Sequence, residues 1–253
     1  MSTTLEPEAQ PGWSRARVLE RIEWAPGLIT LRLGIEPMFE AGQFFNLGLY
    51  HDGEFTRRAY SAASAPGAPL EFFIAQVNDG EFSPALFGLR EGQHVWVEDR
   101  PQGFFTLRYV PDADELWLVA TGTGLGPFVA MLRSGEVWQR FRRVIVVHGV
   151  RDTTQLAYRA ELDAWRAERP CVVVTCTSRA SSNPPLLSGR VTQTLVDGSL
   201  EEAAGTSLGP ERSHVMLCGN PEMVAEMSAL LDERGLRKHR QRKPGHVTVE
   251  KYW

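Results

Sequence analysis

A chain of 253 residues with 43% hydrophobic, 23% charged and 9% aromatic residues has the composition of an ordinary folded protein, long enough for two domains. Its net charge of -4 argues against a general nucleic-acid binder, which needs clustered Lys and Arg to neutralise phosphates. The three cysteines, Cys171, Cys176 and Cys218, form neither a CxxC pair nor an even set, so they argue against a zinc site or a disulfide framework and for a reducing cytoplasm.

The first residues, "MSTTLEPEAQPGW", lack a basic start and an apolar core and are expected to be a short disordered lead. No later run approaches the roughly 20 apolar residues of a membrane span. Between Trp13 and Leu107 come short runs rich in β-branched, aromatic and leucine residues: "LITLRLGI", "QFFNLGLY", "LEFFIAQV" and "HVWVE". Turn signals such as "APG", "HDGE" and "REGQ" separate them, the grammar of a small antiparallel barrel or sandwich. One helix is expected inside this half, in "GEFSPALFGL", with Ser83 as N-cap and Pro84 in the first turn.

After "RYVPDADE" continuous apolar strands alternate with helical patterns: "LWLVA", "FVAMLRSGEVW", "RVIVVHGV", "LAYRAELDAWRAE", "CVVVTCTS", "HVMLCG", "PEMVAEMSALLDERG" and the terminal "HVTVEKYW". That alternation predicts a parallel sheet covered by helices on both faces. The expected division is residues 1–110 for the antiparallel half and 111–253 for the α/β half.

The motif richest in chemistry is "LWLVATGTGLGPFVAML", a buried strand running through a glycine turn into a helix. Gly122, Thr123 and Gly124 can bring backbone N–H groups close to a pyrophosphate at a helix N-terminus. The spacing G-x-G-x-G is not the strict dinucleotide fingerprint, and no Lys follows to make a P-loop, so a purely structural tight turn remains an alternative. Arg151 ends the next strand where an NAD site commonly has an acid, and Ser178, Arg179 and Arg190 lie near other strand ends. Guanidinium groups bind phosphate bidentately, which favours NADP over NAD; the competing reading is solvated surface arginines.

In the first half, "RRAYSAAS" offers Arg58 for a phosphate, Tyr60 for a ring and sugar, and Ser61 for a ring nitrogen, unless it is ordinary strand sequence. His148 and His214 have no metal-ligand spacing and are read as structural.

Taken together, "RAYS", "EFFIAQV", "DGEFSPAL", "ATGTGLGP", "TSR", "SGR", "HVMLCGNPEMV" and "GHVTVEKYW", in that order along nearly the whole chain, resemble the bacterial members of the ferredoxin–NADP reductase family. The resemblance implies an antiparallel FAD-binding barrel followed by an NADP-binding α/β domain, with the active site at their junction. It implies FAD contacts from Arg58, Ala59, Tyr60, Ser61, Phe73, the turn Glu81, Phe82 and Ser83, and Thr121. It implies 2′-phosphate contacts from Arg151, Ser178, Arg179 and Arg190, and it places Cys218 beside the nicotinamide and Glu250 near the active site, alongside Ser61. For Cys218 a small buried hydrophobe, and for Glu250 a solvated strand residue, are the competing readings. Plant-type members end on one tyrosine and some bacterial ones have alanine there with a longer tail. Aligning on "VEK" puts Tyr252 over the flavin and Trp253 against the adenine of a folded-back FAD.

The implied activity is hydride transfer between nicotinamide C4 and flavin N5, coupled to one-electron exchange with a ferredoxin or flavodoxin by a cytoplasmic monomer. The alternative is an NADPH-dependent flavin reductase or the reductase component of an oxygenase. A basic run, "RKHRQRK" at 237 to 243, either steers an acidic carrier or is a solvated loop.

Overall fold

The computed structural model describes residues 11–51, 54–77, 80–179 and 186–251. The antiparallel half contains β1 (Trp13–Ala25), β2 (Leu28–Leu33), β3 (Phe44–His51), β4 (Glu54–Ser61), β5 (Leu70–Ala75) and, after a short helix α1 (Phe82–Gly88), β6 (His94–Glu98). These strands pair in the order β4-β3-β6-β1-β2-β5, every contact antiparallel. The two edge strands meet through a bridge from Ala62 to Phe72, so the sheet curls toward closure as expected of a barrel.

Strand β1 is absent from the sequence reading because "VLERIEW" carries leucine and charges that read equally well as helix. It is a strand because Ala16 and Val18 enter the core while Arg15, Arg17 and Leu19 stay out, and two register shifts let it bend between β6 and β2. Strands β2 and β5 are buried on both faces. Ile29, Leu31, Leu33, Leu70, Phe72 and Ile74 fill the barrel, each worth about 1.5–3 kcal/mol of burial. Leu28, Thr30, Glu71 and Phe73 point the other way, into the seam with the second half.

That second half is a parallel sheet of β7 (Glu115–Thr121), β8 (Arg143–Val150), β9 (Cys171–Thr177), β10 (Leu187–Ser188), β11 (Ser213–Gly219) and β12 (Val247–Lys251), in the order β10-β9-β8-β7-β11-β12. One face packs on α2 (Leu125–Ser134), α3 (Glu136–Arg140) and α4 (Arg159–Glu168), the other on α5 (Val191–Val196), α6 (Ser199–Ala204) and α7 (Pro221–Glu233). The first cluster also takes in Ala25, Leu28, Ala63, Phe73 and Phe105, so one continuous apolar core joins the two sheets. Among the described residues no helix is long and apolar enough to cross a membrane.

Two local expectations are corrected. Ser83 is not an N-cap: the cap position is Glu81, and the buried Ser83 hydroxyl instead accepts the Val77 N–H at 2.8 Å, fixing the loop before α1. The run "FVAMLRSGEVW" is not one helix, because Gly135 at φ 80° ends α2 in a left-handed cap and α3 restarts beyond it.

Candidate dinucleotide cleft and its surroundings

Strand order reverses between β7 and β11, since β8, β9 and β10 lie on one side of β7 and β11 and β12 on the other. Crevices at the carboxyl ends of strands on either side of such a reversal are where open α/β sheets bind ligands. A cleft of about 690 Å³ opens there. Thr121, Gly122 and Thr123 line it from the turn after β7, Gly149 to Arg151 from β8, Ser178 from β9, and Arg190 from the start of α5. Its opposite wall is the β1–β2 turn, Pro26 and Gly27, with Leu28 at the start of β2, Ala75 at the end of β5 and Gln76 and Val77 after it. The volume suits a nucleotide-sized ligand.

The glycines divide their labour. Gly122, at φ 53°, has open space where a Cβ would project, so its backbone is accessible at the cleft. Gly124 is buried behind it: a Cβ there would meet the carbonyl carbon of Cys218 at 2.6 Å, so glycine is required by packing of the turn against β11. Gly126 lets α2 approach the other half, with Phe73 Cβ at 3.6 Å and Ala63 Cβ at 3.8 Å from the position of an added Cβ. The structural reading of this motif thus holds at Gly124, while Gly122 leaves its side of the cleft open.

Of the arginines read from the sequence, Arg151 and Arg190 line the cleft together with Ser178. Arg179 is exposed beside them but does not line it; its N–H donates to the Arg151 carbonyl at 3.1 Å, which keeps the two strand ends in step. Thr121 lines the cleft, yet its hydroxyl accepts the Asn220 N–H at 2.9 Å and so ties the end of β7 to the start of α7.

Cys218 and Glu250 are neighbours: they are register partners on β11 and β12, and Cys218 is also opposite Ala120 on β7. Partners in parallel register share a face, here the one that carries Ala120 and α2. Cys218 is fully buried. Burial raises the Glu250 carboxyl to about 7, and its Oε2 has no hydrogen-bond partner. Neither residue lines the cleft.

Of the residues expected to touch a flavin, Thr121 lines that cleft, and the other described ones belong to the first half of the chain and do not. Arg58 and Ala59 are exposed on β4, Tyr60 is half-buried and Ser61 is buried. Burial pushes the Tyr60 hydroxyl up to about 12, against the opposing effect of Arg58. Phe82 is buried and stacked on Tyr60 at 6.3 Å. Phe73 is buried in the seam, edge-on to Tyr158 at 5.2 Å. Glu81, ahead of α1, is exposed. Tyr252 and Trp253 lie outside the described residues.

Sequence reasoning passed over Asn220, Met223 and Glu226 on α7 and Thr192 on α5, all in the cleft wall. The signal for Asn220 was present: Asn-Pro is an N-cap followed by a first-turn proline, and its Oδ1 accepts from Glu222 N at 2.7 Å. His148 was read as structural, and it is fully buried with Nε2 at 3.1 Å from the Gly122 carbonyl.

An antiparallel barrel joined to a parallel sheet, with a glycine turn and two arginines at the switch point, defines a class of protein that binds a nucleotide in its α/β half. Residues 118–229 match the family described as oxidoreductase NAD-binding domain. The chain is 40% identical over 247 residues to the flavodoxin/ferredoxin–NADP reductase of Escherichia coli (strain K12), covering 95% of this chain and 99% of that protein. It is 34% identical to ferredoxin–NADP reductase A of Sorangium cellulosum, covering 95% of this chain and 90% of that one. A crystal structure of a ferredoxin NADP+ reductase from Neisseria gonorrhoeae, with bound FAD and NADP, superposes with a TM-score of 0.90 at 34% identity, covering 97% of this chain and 100% of that one. The chain belongs to the ferredoxin–NADP reductase family.

Proposed function

We propose that this chain is a flavoprotein oxidoreductase that moves electrons between NADPH and a one-electron carrier protein, a ferredoxin or a flavodoxin, through FAD. The observation that carries the reading is the convergence of the Gly122 turn with Arg151, Ser178 and Arg190 on one switch-point cleft. The residues present fit the two groups. Gly122 leaves its side of the cleft open to a pyrophosphate, and two arginines and a serine line the same cleft, the groups that would hold a 2′-phosphate. On the first sheet, the Ser61 hydroxyl and the exposed Arg58 are the groups a flavin would use.

The assignment of residues 1–110 to FAD and 111–253 to NADP follows. Arg58, Ala59, Tyr60, Ser61, Phe73, the Glu81–Phe82–Ser83 turn and Thr121 would hold the flavin, Ser83 through backbone alone because its hydroxyl is engaged by Val77. Gly122, Thr123, Gly124, Arg151, Ser178, Arg179 and Arg190 would hold the nucleotide, Gly124 by shaping the turn. When bound, the flavin supplies two-electron exchange with the nicotinamide and one-electron exchange with the carrier. The protein supplies position and exclusion of water. Cys218 offers a small apolar wall beside the nicotinamide, and Glu250, next to it in register, can hold a proton near neutral pH.

Arg237, Lys238, Arg240, Arg242 and Lys243 are all exposed on the turn leading into β12, and they would steer an acidic carrier toward this face. A monomer in the cytoplasm fits this role, and three buried cysteines with no disulfide are compatible with that compartment. The test is spectroscopic and kinetic. The purified protein should be yellow or reconstitute with FAD, NADPH should bleach it, and a ferredoxin or flavodoxin should be reduced faster than free flavin. Faster turnover of free flavin would favour a flavin reductase instead.

A further inference from the structure

A second polar cluster sits in the seam between the two sheets, outside the cleft. Its centre is Glu71, on the outward face of β5 and 2% exposed. Arg133 Nη1 donates to its carboxylate at 3.0 Å, the Tyr158 hydroxyl donates at 3.0 Å, and Arg32 Nη2 lies at 3.3 Å. Arg133 belongs to α2, the helix launched by the glycine turn. Its Nη1 also donates to the Ala63 carbonyl at 2.9 Å, while Nε and Nη2 grip Glu161 of α4 at 2.9 and 2.7 Å.

From Trp24 to Glu71 the hydrogen bonds run in one direction. Trp24 Nε1–H donates to Thr30 Oγ1 at 2.8 Å, and Thr30 Oγ1 lies 2.9 Å from the Tyr158 hydroxyl. A carboxylate only accepts, so Tyr158 spends its proton on Glu71, and Thr30 must donate to Tyr158. The relay Trp24, Thr30, Tyr158 thus runs to Glu71, each bond polarising the next, and meets there the Arg133 guanidinium, which donates from the other side of the seam. Tyr158 alone among the non-glycine described residues has positive φ, at 56°, immediately before α4. A tyrosine is held in that disfavoured conformation only where its surroundings demand it.

The placement of the ends matters. Ala63 is two residues beyond Ser61, and Glu71 two residues before Phe73, whereas Arg133 is rigidly connected through α2 to Gly122–Gly124. An apolar seam would hold the sheets together as strongly, because buried ion pairs repay little more than their desolvation. What a bidentate guanidinium adds is orientation.

We propose that Arg133, Glu71 and Tyr158 are positioning residues for electron transfer: they fix the distance and angle at which the nucleotide-binding half meets the flavin-binding half. The inference rests on the functional reading above, in which the halves carry the two cofactors. A misplacement of about 1 Å between reacting groups costs on the order of 100-fold in rate.

The test uses the full chain with Tyr158→Phe, Glu71→Gln and Arg133→Lys, and Arg142→Ala, an exposed pair partner of Asp114, as control. In the FAD-loaded protein, flavin reduction by NADPH should slow about 10- to 100-fold while the NADPH KM changes less than about threefold. Oxidation of the dithionite-reduced protein by ferricyanide should keep its parental rate. In the cofactor-free protein, spin labels on Met38→Cys and Ala167→Cys, both exposed and on opposite halves, should give one narrow distance distribution that broadens in the variants. Tyr158→Phe deletes a single hydroxyl and decides the matter if Glu71→Gln does not fold. A parental rate of reduction by NADPH, an unbroadened distance distribution, or equal slowing of both half-reactions would overturn the proposal. A parent protein that NADPH does not bleach would instead overturn the functional reading, whatever the labels report.

Discussion

His148 and Gly122 are joined across the sheet end, with the imidazole Nε2 3.1 Å from the glycine carbonyl. The carbonyl accepts, so Nε2 carries the proton, and burial, by pulling the pKa down to about 4, keeps the ring neutral. The bond turns the Gly122 carbonyl toward β8 and leaves the outer side of the turn to an anion. His148→Leu should raise the NADPH KM about tenfold, the cost of one unpaired carbonyl, and His148→Gln should recover part of it. Steady-state kinetics at fixed carrier concentration checks this.

The same histidine makes an acid-stability prediction. Its folded pKa is depressed, so the stability tied to its neutral form is present above the unfolded value near 6.5 and lost as pH falls toward 4, at most about 3 kcal/mol. His214, lowered to about 3 by burial and by His239, His246 and Arg140, acts in the same direction. Urea melts between pH 4 and 7 should flatten in His148→Leu.

Glu250 has the opposite sign. Burial raises its pKa to about 7, so the contribution of the protonated form is complete below the usual carboxyl range and disappears as pH rises through about 7. Flavin reduction by NADPH followed from pH 5.5 to 8.5 should show an inflection near 7 that Glu250→Gln abolishes. An unchanged profile would remove Glu250 from the reaction.

The arginines should separate by position. Arg151→Ala and Arg190→Ala, in the cleft, should each weaken NADPH binding about 10- to 100-fold, as expected for one lost charge-assisted contact, and leave NADH almost untouched. Arg179→Ala, outside it, should have a smaller effect. Calorimetric titration with NADP+ and NAD+ distinguishes these outcomes.

Gly124 and Gly149 predict loss of stability with no ligand present. A Cβ at Gly124 would strike the backbone of Cys218 and Gly219, and one at Gly149 would strike Val191. Gly124→Ala should cost about 1–3 kcal/mol, because backbone cannot move aside, and Gly149→Ala less, because a valine side chain can. Urea denaturation of the apoprotein gives both values.

The two halves were legible because strand alternation and helix periodicity are carried by residues close in the chain. β1 was not, since leucine, glutamate and arginine suit either structure and only pairing with β2 and β6 makes it a strand. Ser83 was misread for a related reason: its helical context is local, but the partner that captured its hydroxyl, Val77, sits across a loop. Arg151, Ser178 and Arg190 could be grouped from strand ends and the adjacent loop alone, whereas the backbone bond from Arg179 to Arg151 depends on how two strand ends overlap.

The sequence by itself determined the two halves and their grammar, the glycine turn, the supply of arginines at strand tips and the family resemblance. Tertiary structure decided that β7 and β11 are neighbours, which opens the cleft; that Cys218 and Glu250 share a register; and that Glu71, Tyr158 and Arg133 meet across the seam. The physical reason is range. Periodicity and turn chemistry act over a few residues, while the pairing of strands about 100 residues apart is fixed only when both faces of each sheet find something to be buried against.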